Sequence, residues 1–238
     1  MRKRRQNRGF SLTEVLLAVG TLAVGMIFIS GTFLTGIHFS TISTERTIAA
    51  VVAEEAFAKV RLFGVNPADP NLAVDRQIPF ESLNFVADDE FAYPSTKSLT
   101  GKHYYWSALC RPAYSGSDNR LVQVTVFISR KVGSSITYQG GAGRPVPVQV
   151  GVSGAVGDRA LTITGDIQFI NDGYTIIENA TGNIYRVLER GADPAVPEQI
   201  TLAAGKLWQG GDSVWVIPPP LGGGKCPCIG VYQRLIRF

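Results

Sequence analysis

Histidine is nearly absent from this chain: His38 and His103 are the only two in 238 residues. Cysteine is scarce as well, at Cys110, Cys226 and Cys228. A structural zinc site wants four ligands in paired spacing, and one Cys-x-Cys, one distant Cys and two separated histidines do not supply it. Charge is missing from a long stretch, because Val15 to Thr44 holds no Asp, Glu, Lys or Arg. That absence excludes an ordinary surface helix, which needs a polar face toward water. Acid is missing from the first nine residues, where Arg2, Lys3, Arg4, Arg5 and Arg8 stand without a counter-charge. Finally, no Lys/Arg cluster interleaved with aromatics occurs beyond that leader. The formal charge of +4 is therefore not a nucleic-acid footprint. Without the leader, eighteen Lys and Arg face nineteen Asp and Glu. The basic flank reads instead as a signal that holds its end of a membrane segment in the cytoplasm.

What is present is Gly9-Phe10-Ser11-Leu12-Thr13-Glu14, joining the basic leader to the apolar run. A lone carboxylate inside an apolar membrane helix costs about 2.5–3.5 kcal/mol on insertion scales, so it usually has a task. An ordinary secretory signal has a short apolar core followed by a small-x-small cleavage site. Here the small residue, Gly9, comes before the apolar run, so a cut after it would leave the anchor on the mature protein. A plain signal anchor accounts for the charge and the apolar run but not for the glutamate five residues after the cut.

This arrangement resembles the class III signal of type IV pilins and type II secretion pseudopilins. The match places Gly9 at the cut, Phe10 as the new first residue and Glu14 as the fifth. The following Val15-Leu16-Leu17-Ala18-Val19 and Leu22-Ala23-Val24-Gly25-Met26 are most similar to I-type minor pseudopilins and V-type minor pilins. The likeness is close over residues 8 to about 63 and thin afterwards. It implies cleavage by a prepilin peptidase, methylation of the new N-terminus, and extraction from the inner membrane by an assembly platform driven by a cytoplasmic ATPase. It also implies packing against other pseudopilins or pilins, contact with membrane lipid, no cofactor, and a domain held outside the cytoplasm.

The fold class expected is α+β: a long N-terminal helix packed on a mainly antiparallel β-sheet domain. The expected divisions are a leader at 1–9, a transmembrane and assembly half of the helix at 10–39, an amphipathic half at 40–63, and a β-rich domain at 64–238. The helix contains no proline, and Pro67 and Pro70 stop it after Gly64. Gly20, Gly25, Gly31 and Gly36 weaken its first half. They serve close helix packing in the membrane, or, as the resemblance implies, loosening of the helix on entry into a filament. In the second half Ile48, Val52, Ala56, Val60 and Phe63, with Ala49 and Ala53, form one apolar stripe, and Glu54 and Arg61 oppose it. Val51, Phe57 and Leu62 fall off the stripe, as rim contacts or contacts to neighbouring subunits.

Residues 64–100 read as an irregular connection. Strands are expected at 103–111 and 121–130, and Tyr104 to Ser107 followed by the Val-Gln-Val-Thr-Val of Val122 to Val126 resembles the strand pair of I-type pseudopilins. In the second strand Val122, Val124, Val126 and Ile128 alternate with Gln123, Thr125 and Ser129. Residues 133–157 read as a loop or loosely paired segment. Further strands are expected at 161–170, 174–177, 183–189, 213–217 and 229–237. Residues 178–182 form a hairpin turn, and the stretch Pro218 to Cys228 forms an exposed tip.

Tests for chemistry return nothing. Gly211-Asp212-Ser213 has the letters of an esterase nucleophile but not its strand–turn–helix context, and His103 would be its only partner. Gly140 to Arg144 is glycine-rich without the following Lys-Ser/Thr of a phosphate loop. Asp166, Asn171 and Asp172 lack calcium-loop spacing, and Asn179-Ala180-Thr181 matches a glycosylation sequon. No enzymatic activity is expected. For the cysteines, pairing within Cys226-Pro227-Cys228 would be strained. A disulfide from Cys110 to Cys226 or Cys228, with one thiol left free, is the expectation, and three unpaired cysteines remain the alternative.

Overall fold

The computed structural model describes residues 11–95, 102–114, 120–131, 137–139 and 143–238. The expected cleavage residues Gly9 and Phe10 lie outside them, as do 140–142 of the glycine-rich segment. Contacts divide the chain into an N-terminal unit ending at Glu45 and a second unit, Arg46–Phe238. One helix, α1 (Leu12–Phe63), runs through both. At 1.5 Å per residue it is roughly 78 Å long. It stops where Gly64 takes φ 76°, and the Gly64 N–H donates to the Val60 carbonyl at 3.0 Å. That is a left-handed cap, which glycine adopts without a Cβ penalty.

In the second unit the end of α1 is amphipathic and packs on a sheet. Ala49, Val52, Ala53, Ala56 and Val60 are buried as the stripe predicts. Phe63 is a correction, being 39% exposed, and Phe57, placed off the stripe, is 2% exposed and in the core. The charged groups beside the stripe are tied down. Arg234 forms a two-pronged ion pair with Glu54 and lies 4.7 Å over the Phe57 ring. The Lys59 ammonium donates to the Glu90 carbonyl at 2.6 Å and pairs with its carboxylate at 2.8 Å.

The sheet under α1 is antiparallel. Its long strands are β3 (Tyr104–Pro112), β4 (Leu121–Arg130) and β11 (Cys228–Arg237), in that order. Two short strands, β1 (Ile78–Pro79) and β2 (Ala92–Tyr93), pair with the outer edge of β3. Between them lie α2 (Phe80–Leu83) and a 3-10 turn at Asp88–Phe91. The alternation in β4 sends Val122, Val124, Val126 and Ile128 to the helix side, where Trp106, Phe80 and Phe91 complete the core. β11 lies close under α1 at Gly230, where an added Cβ would stand 3.4 Å from the Ala49 methyl.

The other face of β4 is not solvent-exposed as its polar residues suggest. Thr125 and Ser129 are buried, because a second β structure covers them. Strands β5 (Val148–Ser153), β6 (Ala160–Ile163), β9 (Gln199–Leu202), β8 (Ile184–Arg190), β7 (Thr175–Glu178) and β10 (Ser213–Val216) close into a six-stranded antiparallel barrel in the order β10-β5-β6-β9-β8-β7. Closure removes the unpaired edges that short strands would otherwise expose. The barrel has its own core, including Ile176, Val187, Ile200, Trp208 and Val214. A small apolar cluster of Leu109, Phe127, Ile177, Trp215 and Ile217 joins it to the sheet.

Three expectations change here. Residues 148–153, within the stretch read as a loop or loosely paired segment, form a regular barrel strand. The strand expected over 161–170 ends at Ile163, because Asp166 caps a 3-10 turn by accepting the Gln168 N–H at 2.9 Å. The loop at Pro218 to Cys228 is only partly an exposed tip: Pro218, Pro220 and Pro227 are buried, and Leu221 to Lys225 reach solvent.

Candidate functional site

In the first unit every large apolar side chain from Leu12 to Phe39 is exposed, including Leu17 at 72% and Ile27 at 72%. One window of α1 reaches a mean hydropathy of 2.2 with none of it buried. Residues 12–39 alone extend about 42 Å, more than a bilayer's hydrocarbon core of about 30 Å. The helix is thus long and apolar enough to cross a membrane. Five of its hydroxyls are satisfied internally: Thr21, Thr32, Thr35, Thr41 and Thr44 each donate to a carbonyl of the preceding turn. A helix in lipid needs this economy, since no water is there to take the hydroxyls.

Glu14 sits in the first turn, where the helix dipole favours an acid. Its side chain is exposed, at the head of a face made with Val15, Ala18, Val19 and Leu22. Among the described residues nothing hydrogen-bonds or pairs with its carboxylate. An added methyl at Gly20, Gly25, Gly31 or Gly36 would meet nothing within 4 Å, so none of the described residues packs against those small faces.

The three cysteines do not form the expected disulfide; all are free thiols. Cys110 on β3 faces α1 and is opposite Val124, whereas Cys228 on β11 is opposite Ser129 and packs on the barrel side. Two ladder spacings and five residues of register put their Cα atoms roughly 19 Å apart, beyond the 7 Å limit for a bridge. Cys226 packs against the barrel core, across the sheet from Cys110. Burial pushes the Cys110 thiol up to about 12 and the Cys226 thiol up to about 11.

The other motifs resolve into structural roles. Ser213 is nearly buried at the start of β10. Its hydroxyl donates to Asp212 at 2.7 Å and accepts from Gln149 at 2.8 Å, while His103 adjoins β3 in the other sheet. The Asn179 side-chain oxygen accepts the Trp215 indole N–H at 2.8 Å and the Gln77 N–H at 3.0 Å. Asp166 caps its turn, and Asp172 accepts the Arg190 N–H at 2.8 Å. Among the described residues no three His, Cys, Asp or Glu side chains are placed to hold a metal. Arg144 is buried, paired with Glu81, and its guanidinium lies 4.0 Å over Phe91.

Sequence reading missed one buried acid. Glu178 at the end of β7 is 0% exposed, with Oε1 unbonded and Oε2 accepting from Thr181 at 2.5 Å. Burial raises its pKa above the usual carboxylate range, against the hydrogen bonds from Thr181, Asn183 and Tyr185 and the charge of Arg111. Nothing local distinguished it from a turn residue, because the barrel that buries it is non-local.

A single exposed apolar helix leading into an α+β unit defines the class of this protein. No known protein family, curated protein or solved structure matches the chain.

Proposed function

We propose that this protein is a minor pseudopilin, a structural subunit of a type II secretion pseudopilus that assembles through α1. The observation carrying this reading is Glu14: one carboxylate in the first turn of α1, heading a stretch that is otherwise uncharged to Thr44 and whose large apolar side chains are exposed to Phe39, five residues after Gly9 in a basic leader. Apolar exposure on this scale asks for lipid or other helices around it. The leader orients the chain with its N-terminus in the cytoplasm, and the second unit then lies outside the inner membrane. Prepilin peptidase removes residues 1–9, and an assembly platform draws the subunit into a filament beside other pseudopilins.

The test is the mature N-terminus. Intact mass and N-terminal peptide mapping of the membrane-extracted protein should give a chain beginning at Phe10, N-methylated, and lacking the leader. A leader retained in cells that express the peptidase, or a start beyond residue 30, refutes the proposal. A minor type IV pilin, of a pilus or a DNA-uptake machine, carries the same N-terminal signature; neighbouring secretin and secretion-ATPase genes favour secretion over it, and retraction genes favour the pilus. A further reading is a cargo- or surface-binding module on the same anchor, resting on the long C-terminal half and its loop at Pro218 to Cys228; pull-down of one soluble protein by the chain from residue 64 onward tests it.

A further inference from the structure

The end of the barrel nearest the proline-glycine loop holds a polar cleft of about 450 Å³. Asn171, Asp172 and Tyr174 line it from the turn into β7, Arg190 from the end of β8, and Lys225 and Cys226 from the loop. Tyr174 is the telling residue. Its ring belongs to the barrel core and is 4% exposed, and its hydroxyl lies against the Asn171 side chain and the Cys226 thiol without completing a well-formed hydrogen bond to either. Buried polar groups are nearly always satisfied, so an orphaned donor at a cleft wall calls for a ligand. Burial, with the Cys226 thiol beside it, pushes the phenol up to about 12, so it keeps its proton.

Arg190 is fixed beside it. Its Nη1 donates to the carbonyls of Ile167 and Ile170, and its backbone N–H donates to Asp172. These bonds use Nη1, and the rest of the guanidinium lines the cleft. Asp172 forms no ion pair with that guanidinium among the described residues. Lys225 stands exposed at the rim. The free groups are thus a phenol O–H, one edge of a guanidinium and an ammonium: donors in excess, with two positive charges against one negative.

The geometry points to a binding site for a carboxylate at this cleft, with Arg190 and Tyr174 donating to its oxygens and Lys225 balancing its charge. A planar carboxylate matches the guanidinium fork, which a hydroxylated sugar does not. Two sources offer the group, the C-terminus of an extended peptide and a small organic acid. The inference is independent of the assembly role of α1.

The test uses the full chain in detergent micelles and reads the rate at which maleimide labels Cys226, followed by peptide mapping. The probes are acetate, acetyl-tetraalanine with a free C-terminus, and the same peptide amidated, at equal ionic strength. The free-acid peptide should slow labelling up to about threefold near twice its Kd, by occupancy, and the amide should not. Tyr174→Phe, which keeps the ring in the core, and Lys225→Ala should each lose most of that protection. Equal protection by acetate assigns the site to small acids; protection by the peptide acid alone assigns it to chain termini. The proposal is overturned if the amide protects as well as the acid, if no carboxylate slows labelling, or if both variants keep full protection.

Discussion

Glu14 and Glu178 are both carboxylates among apolar side chains, and each meets a different difficulty. Glu14 is exposed on a helix that water would not tolerate, and a charge in lipid needs a partner. Two amines are in reach on the proposed reading: the protein's own new N-terminus at Phe10, four residues earlier on the helix, and that of an adjacent subunit. The structure keeps both open, since Phe10 lies outside the described residues. The helix has ample apolar length and little need of help at its first turn, which favours the neighbour. Glu14→Val should therefore be processed and membrane-stable but fail to crosslink to or co-purify with other pilin-like subunits; wild-type co-assembly would reduce Glu14 to a local cap. Glu178 is enclosed by protein. Its pKa is raised by folding, so its contribution to stability is fully present below the unfolded value of about 4.3. That contribution is lost as pH rises through the higher folded value. Glu178→Gln should remove this slope: the Tm of wild type should fall relative to the variant as pH increases from 4 toward neutrality. Parallel Tm curves for the two would show that Glu178 does not titrate out of its usual range.

At the scale of elements, α1 is one helix with two solvents. Up to Phe39 its large apolar side chains are exposed, and from Ala49 to Val60 they form the roof of a core. The change was legible in the sequence, because charge returns at Glu45 and the apolar residues fall into a stripe. Phe57 was not, since a helix projection cannot show how far a sheet curls around it; Arg234, from the far end of the chain, closes over its ring. Phe57→Ala should cost about 3–5 kcal/mol in denaturant unfolding of the second unit. Val51→Ala, at an exposed position on the same helix, should stay within about 0.5 kcal/mol. An equal loss at both positions would mean that Val51 is covered. The strands show the same limit. β4 announced itself by alternation over ten residues. β9, with four residues and only Ile200 and Leu202 facing the core, carries too short a pattern to be seen.

For the molecule as a whole, the sheet stands between two partners, α1 on one face and the barrel on the other. That arrangement separates the cysteines, with Cys110 on the helix side and Cys226 and Cys228 on the barrel side. Non-reducing peptide mapping should recover Cys110 as a free thiol; a Cys110 disulfide to either of the others would contradict the strand register. The sequence alone determined the long apolar helix, the position of its lone carboxylate, its stop before Pro67 and the existence of strands β3 and β4. These follow from local composition and from periods of 3.6 and 2, which a few neighbouring residues express. Only the tertiary structure decided that the later strands close into a barrel, that Thr125, Ser129 and Glu178 are buried, and that Tyr174 meets Arg190 and Lys225 at one cleft. Each of those depends on residues tens of positions apart being brought together, and no local pattern in the chain records which strand will be the neighbour of which.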